Sequence, residues 1–262
     1  MHIEMIRGVD RGKEGQGECP WQALVRLGQG GTAVDLARAV RKQGLRSLAF
    51  DDEALFACHA RAMTVCSEMR ELDVNVLWSA RLSSLPEREL LRAMRLAGCQ
   101  LLDARLGPDE AAEALCRARE FGFDIRLRNV DGSAYATDKT SYTVAEREAI
   151  ADLLPGLHAA QFDLAVAYYR ARRFSDVMQP LGKAMVLRFP MNELCLNLLA
   201  CLSAARHYPD MAAGLLDQAG HGCPHPVVFR NRGLLRSWME SGGDLRGVRL
   251  ELEPVSGPGA IL

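Results

Sequence analysis

Short apolar runs alternate with longer stretches in which apolar residues recur every three or four positions, and this alternation fills the first half of the chain. The runs are Arg46–Phe50 (RSLAF), Val74–Ala80 (VNVLWSA), Gln100–Ala104 (QLLDA) and Asp124–Leu127 (DIRL). Their length and apolar content predict strands. Between them, Thr32–Gln43, Ala54–Leu72, Glu87–Ala97 and Asp109–Phe121 carry helical spacing. Strand then helix, repeated, predicts a parallel sheet of about five strands with crossover helices. Gly44, Gly98 and Gly122 follow helix ends, where glycine can take the left-handed conformation that closes a helix. Pro86 and Pro108 suit first helical turns.

The pattern changes near Asn129. Asn129–Ser141 (NVDGSAYATDKTS) is polar and holds the turn signal Asp131-Gly132. The strand signal ends there, and helices follow one another. These boundaries predict an α/β domain over 1–130, a linker over 131–141, a helical domain over 142–250 and a flexible tail over 251–262. The helical part carries an echo at 34 residues: Arg172-Arg173-Phe174-Ser175-Asp176 returns as Arg206-His207-Tyr208-Pro209-Asp210. Leu164 matches Leu198, Tyr168 matches Leu202, Val177 matches Met211 and Leu181 matches Leu215. The stretch from about Ala159 to Gly243 resembles tetratricopeptide repeats, helical hairpins that bury their apolar faces by stacking. Phe189-Pro190 falls at the end of the first unit, as that family's pattern implies.

Composition narrows the function classes. Of 262 residues, 48% are hydrophobic and 25% charged, which is ordinary for globular proteins. Lys+Arg 32 against Asp+Glu 33 gives a formal charge of -1, which disfavours nucleic acid as a partner. No run is apolar enough to predict a membrane span, and Met1–Asp10 has no signal-peptide core. The eight cysteines are scattered, without framework spacing, and read as reduced thiols in a cytoplasmic protein.

In the first half, Phe50-Asp51-Asp52-Glu53-Ala54-Leu55-Phe56 resembles the second-strand signature of radical SAM enzymes, particularly their cobalamin-associated group. Trp78-Ser79-Ala80-Arg81, then Leu90–Cys99 (LLRAMRLAGC), resembles that family's third strand, following helix and entry to the fourth strand. The order and spacing agree from about Ile3 to Leu127. The resemblance implies a partial (β/α) barrel, an iron–sulfur cluster and S-adenosylmethionine. Yet the residues that would carry the chemistry have changed. A cluster with one open iron needs a CxxxCxxC loop, because thiolates are the ligands that suit it. The matching positions here are Val9, Lys13 and Gln16, with Cys19 the lone thiol nearby. After the fourth strand the family carries GxES, whose glutamate contacts the nucleoside. The matching stretch is Arg105-Leu106-Gly107-Pro108. Two separate losses imply a degenerate scaffold for which no cofactor is expected.

Other constellations admit two readings each. Asp51 and Asp52 close a predicted strand where α/β ligand sites form, and acidic residues also serve there as helix N-caps. Gly28, Gly30 and Gly31 precede a helix, as a phosphate loop does, but no P-loop lysine follows; a flexible loop fits better. His221, Cys223 and His225 in HGCPH have metal-ligand chemistry without a second ligand pair, and read as a turn. Cys58, His59 and Cys66 share a predicted helix, where adjacent residues do not face each other, so a thiol–imidazole pair is not expected. Trp78 reads as core.

Two functions follow. One is a non-catalytic interaction or accessory protein, whose helical repeats meet another protein or peptide through Gln161, Arg170, Asn197 and Arg206, polar residues on or at the ends of predicted helices Ala160–Ala171 and Glu193–Ala205. The other is an enzyme or small-ligand binder of radical SAM or SAM-binding descent. It would use the C-terminal face of the sheet through Asp51, Asp52, Arg81 and Arg105.

Overall fold

The computed structural model describes residues 1–5, 22–28, 30–128, 142–221, 225–241 and 250. They fall into two compact units, one built on Met1–Tyr142 and the other on Thr143–Gly257.

The first unit is a mixed α/β sheet. Its elements run β1 (His2–Met5), β2 (Gln22–Arg26), α1 (Ala33–Gln43), β3 (Ser47–Phe50), α2 (Glu53–Ala57), α3 (His59–Glu71), β4 (Leu77–Leu82), α4 (Arg88–Leu96), β5 (Cys99–Arg105), α5 (Pro108–Phe121) and β6 (Asp124–Arg128). The strands lie side by side in chain order, and β2 through β6 are parallel. The edge strand β1 departs from the all-parallel expectation, since it pairs antiparallel with β2. An antiparallel neighbour needs no crossover helix, and no helical pattern precedes Thr32. Both strands are short and lie ahead of the first predicted run, so the sequence pattern misses them.

Right-handed crossovers that always step to the next strand put every helix on one face of the sheet. The packing agrees. Val25, Phe50, Ala80, Leu102 and Ile125 are aligned in register across the sheet. All five belong to the core shared with Leu36 of α1, Val65 of α3, Leu91 of α4 and Ala114 of α5. The residues one position further along each strand point to the opposite face.

Local chemistry fixes the element ends. Thr32 and Asp35 form a capping box at α1, and Asp52 caps α2 through the Leu55 N–H. Gly44 and Gly122 close α1 and α5 in the left-handed region. Gly98 has φ +99°, and a Cβ there would lie 2.3 Å from the Val76 carbonyl oxygen. Pro108 takes the first position of α5. Pro86 instead lies outside α4, which begins at Arg88 after the N-cap Glu87. The single helix expected over Ala54–Leu72 is two, because extended backbone at Cys58 breaks it.

The second unit is helical among its described residues: α6 (Val144–Leu153), α7 (His158–Arg170), α8 (Met178–Val186), α9 (Asn192–Ala205), α10 (Pro209–Ala219) and α11 (Pro226–Ser241). α7 packs on α8 and α9 on α10, as hairpins. The starts of α7, α9 and α11 stand 34 residues apart. Leu164, Leu198 and Leu202 are buried. The echo slips by one in the second helix of the next hairpin, because α9 is one residue longer than α7. Ala212 and Leu216, not Met211 and Leu215, therefore take the buried places of Val177 and Leu181. Gly182 in α8 and Gly214 in α10 have open space where a Cβ would stand. Gly182→Ala and Gly214→Ala should each raise stability by about 0.5–1 kcal/mol, through lower unfolded-state entropy. Urea midpoints check this, and a lower midpoint in either variant would show a hidden close approach.

Candidate functional site

The parallel register gathers charge at the ends of the strands. Arg26, Asp51, Arg81, Asp103 and Arg126 stand in one row across β2 to β6, on the face away from the helices. Asp51, one residue past β3, is drawn into the sheet by its N–H, which donates to the Val25 carbonyl at 3.0 Å. Its Oδ2 accepts from Arg26 Nε at 2.9 Å, and its Oδ1 pairs with Arg81 Nη1. The Asp51 hydrogen bond and charge raise the pKa of the Arg26 guanidinium. Asp103, buried, takes a two-pronged hydrogen bond from Arg128, Nε at 2.8 Å and Nη2 at 3.1 Å. Arg126 Nη1 lies 3.7 Å from the same carboxylate. Each carboxylate is thus shared by two guanidiniums.

The four residues expected at this face divide. Asp51 and Arg81 meet directly. Asp52 is turned to backbone: Oδ1 caps Leu55 and Oδ2 accepts the Gly28 N–H at 3.0 Å. The capping reading of Asp52 therefore holds alongside a second task, fastening the β2–α1 loop. Gly28 has φ +59°, and its carbonyl accepts from Arg61. A Cβ on Gly31 would lie 2.2 Å from the Leu27 oxygen. Arg105 ends β5, with Nη1 3.8 Å from Glu53 Oε1.

Sequence reasoning missed Arg26, Asp103, Arg126 and Arg128. A signal for them exists. Every parallel strand carries a charge at its last residue or one residue to either side of it, as LVR, AFD, SAR, DAR and RLR. The period of two in the last two marks a face that no helix covers.

In the helical unit, Arg170 and Arg206 are exposed, and Arg206 Nη2 donates to the Phe174 carbonyl at 3.2 Å. Gln161 and Asn197, expected at a partner surface, are instead interior. Gln161 Nε2 reaches the Ala151 carbonyl at 3.5 Å. Asn197 Oδ1 accepts from the buried Asn231 Nδ2 at 2.7 Å. The physical reason is helix stacking on both sides: α6 covers Gln161, and α11 covers Asn197.

Among the described residues, no group of three or more His, Cys, Asp or Glu is placed to hold an ion. His225 is buried with Nδ1 accepting the Val227 N–H at 3.3 Å; Cys223 lies outside the described residues. So do Val9, Lys13, Gln16 and Cys19. Their donor chemistry alone, one thiol with a valine, an ammonium and an amide, does not fit a 4Fe–4S cluster. Cys66, Cys195 and Cys201 are free thiols pushed up to about 12 by burial, so they are not thiolates at neutral pH. Cys58 is exposed at the α2–α3 break. Trp78 is core, its Nε1 donating to the Ala97 carbonyl at 2.7 Å. Among the described residues, no helix is long and apolar enough to cross a membrane.

No protein-family model matches the chain, and no curated protein matches it.

Proposed function

We propose that this chain is a non-catalytic interaction or accessory protein. A degenerate radical SAM-like sheet serves as its platform, and tetratricopeptide-like hairpins hold a protein or peptide partner. One observation carries the reading: the second helices of the hairpins turn apolar side chains to solvent. Val186 is 82% exposed, Met211 60% and Met178 51%. Methionine side chains adapt to apolar partners, and large apolar side chains held in solvent are available for recognition. The spacing of α7, α9 and α11 supports the hairpin-repeat part. With Gln161 and Asn197 interior, contact falls to these second helices and to the exposed Arg170 and Arg206.

The strand ends support the non-catalytic part. Among the described residues, Asp51 pairs with Arg81 and Asp103 with Arg128, so both carboxylates at the strand ends, where α/β enzymes keep acid–base groups, are engaged by guanidiniums.

The test has two arms. A Val186→Glu/Met211→Glu variant should keep the parent's melting temperature and lose the partners that the intact chain captures. Capture of every partner by the folded variant would defeat the recognition reading. Anaerobic treatment with iron and sulfide should leave the protein colourless, since the cluster thiols are replaced. A brown protein with about four irons per chain would defeat the degenerate-scaffold reading.

A further inference from the structure

The far corner of the sheet, where β5 and β6 end, holds two arginines in an arrangement that the protein itself leaves unbalanced. Arg105 and Arg128 are direct register partners on adjacent parallel strands. Neighbouring strands lie about 4.8 Å apart, and like charges directly opposite one another are destabilising. Arg126 stands two residues back on the same side of β6. Three guanidiniums therefore share this corner with two carboxylates, Asp103 and Glu53.

Those carboxylates do not saturate the pair. Arg128 spends its Nε and Nη2 on Asp103, which leaves the Nη1 N–H groups pointing beyond the carboxylate. Arg105 is 44% exposed in its side chain. Among the described residues, its partner is Glu53 Oε1 at 3.8 Å, which is beyond hydrogen-bond distance. Of the two acids in the first turn of α5, Asp109 and Glu110, Glu110 is turned to backbone, its Oε2 accepting the Gly107 N–H at 3.2 Å. Asp103 acts as a strut. It is buried, and it fixes the plane of the Arg128 guanidinium, so that donor is pre-organised rather than free to rotate.

We propose that Arg105 and Arg128 bind the phosphate group of a small anionic ligand at this corner. A single carboxylate fits one guanidinium fork. Two guanidiniums carried by register-paired residues offer donors to more than one edge of a tetrahedral dianion. The ligand's charge offsets the repulsion between the two arginines, so the corner gains electrostatic stability when it is filled. The site stands independently of any partner that the helical hairpins hold. It involves no chemistry, only binding.

Inorganic phosphate, titrated calorimetrically into the full chain at constant ionic strength, tests this. Saturable binding at one site per chain is expected, and acetate should give none. Arg105→Gln should weaken phosphate at least about ten-fold, the loss of one charge-assisted fork. Its melting temperature without phosphate should stay that of the parent, because the Arg105 side chain makes no hydrogen bond among the described residues. Glu53→Gln removes the competing carboxylate and should tighten phosphate several-fold, which gives a readout of opposite sign. Absent saturation, equal affinity in Arg105→Gln, or acetate binding as tightly as phosphate would each overturn the proposal.

Discussion

Arg95→Met is expected to destabilise the first unit by about 3–5 kcal/mol, because a buried charged network loses its donor. Arg95 is fully buried on α4. Its Nε donates to the Phe121 carbonyl at 3.0 Å, and its Nη1 to the Cys99 carbonyl at 2.9 Å and to Gln100 Oε1. The guanidinium carbon sits 5.6 Å from the centroid of the Phe123 ring. One side chain thus ties α4 to the start of β5 and to the end of α5. Methionine fills similar volume but donates nothing. The Phe121 and Cys99 carbonyls would lose a charged donor in a place water does not reach. An exposed pair supplies the control. Arg88→Ala breaks the ion pair to Glu120, whose partners are 68% and 36% exposed, and should change stability by less than about 1 kcal/mol. Urea unfolding followed by tryptophan fluorescence measures both. A loss below about 1 kcal/mol for Arg95→Met would mean that the network contributes no more than a surface contact.

Arg95 also shows why part of the fold was hidden in the sequence. Arginine on a helix reads as solvent-facing, and nothing in LLRAMRLAG marks one of its two arginines as interior. Burial follows from the β5 bulge, where the register shifts between Trp78 and Ser79 and brings Gln100 and the Cys99 carbonyl under α4. The four later strands were legible as short runs between helical stretches, with helix-stop glycines ahead of β3, β5 and β6. β1 and β2 were not. Their pairing is antiparallel and carries no strand–helix alternation. In the helical unit, the turns after α7, α8 and α9 put Arg172, Arg188 and His207 in the left-handed region with φ near 60°. No glycine announces them, so those helix ends had to be placed by the repeat alone. The candidate site was half legible. Asp51 and Arg81 announce themselves by sitting at the ends of recognised strands. Arg26 and Arg128 belong to strands whose ends were unread or read short, and Asp103 sits inside an apolar run that reads as core.

The polar group at the heart of the helical unit yields the second large effect. Asp163, Asn197 and Asn231 occupy one position in α7, α9 and α11, at 34-residue steps. Asp163 pairs with Arg147 of α6 at 3.0 Å, and Asn231 with Asn197 at 2.7 Å. Both asparagines are buried, and Asn197 Nδ2 also lies 3.9 Å from Cys201 Sγ. A buried amide must find a partner, and the partner here is the same residue type one hairpin away. A one-residue slide of α11 along α9 would separate the two amides, so the pair penalises wrong registers more than it stabilises the right one. Asn231→Leu is therefore expected to cost about 2–3 kcal/mol, the desolvation of an abandoned amide plus misfit of the branched side chain. Asn197→Leu should cost a similar amount. The double variant should lose clearly less than the two single losses together, leaving a coupling of about 1–2 kcal/mol in a double-mutant cycle. Exchange of amide hydrogens in α9 and α11 gives the second readout. If register is what the pair sets, the double variant recovers stability while protection in α11 stays below that of the parent. Zero coupling, with full protection restored, would reduce the pair to two independent buried side chains.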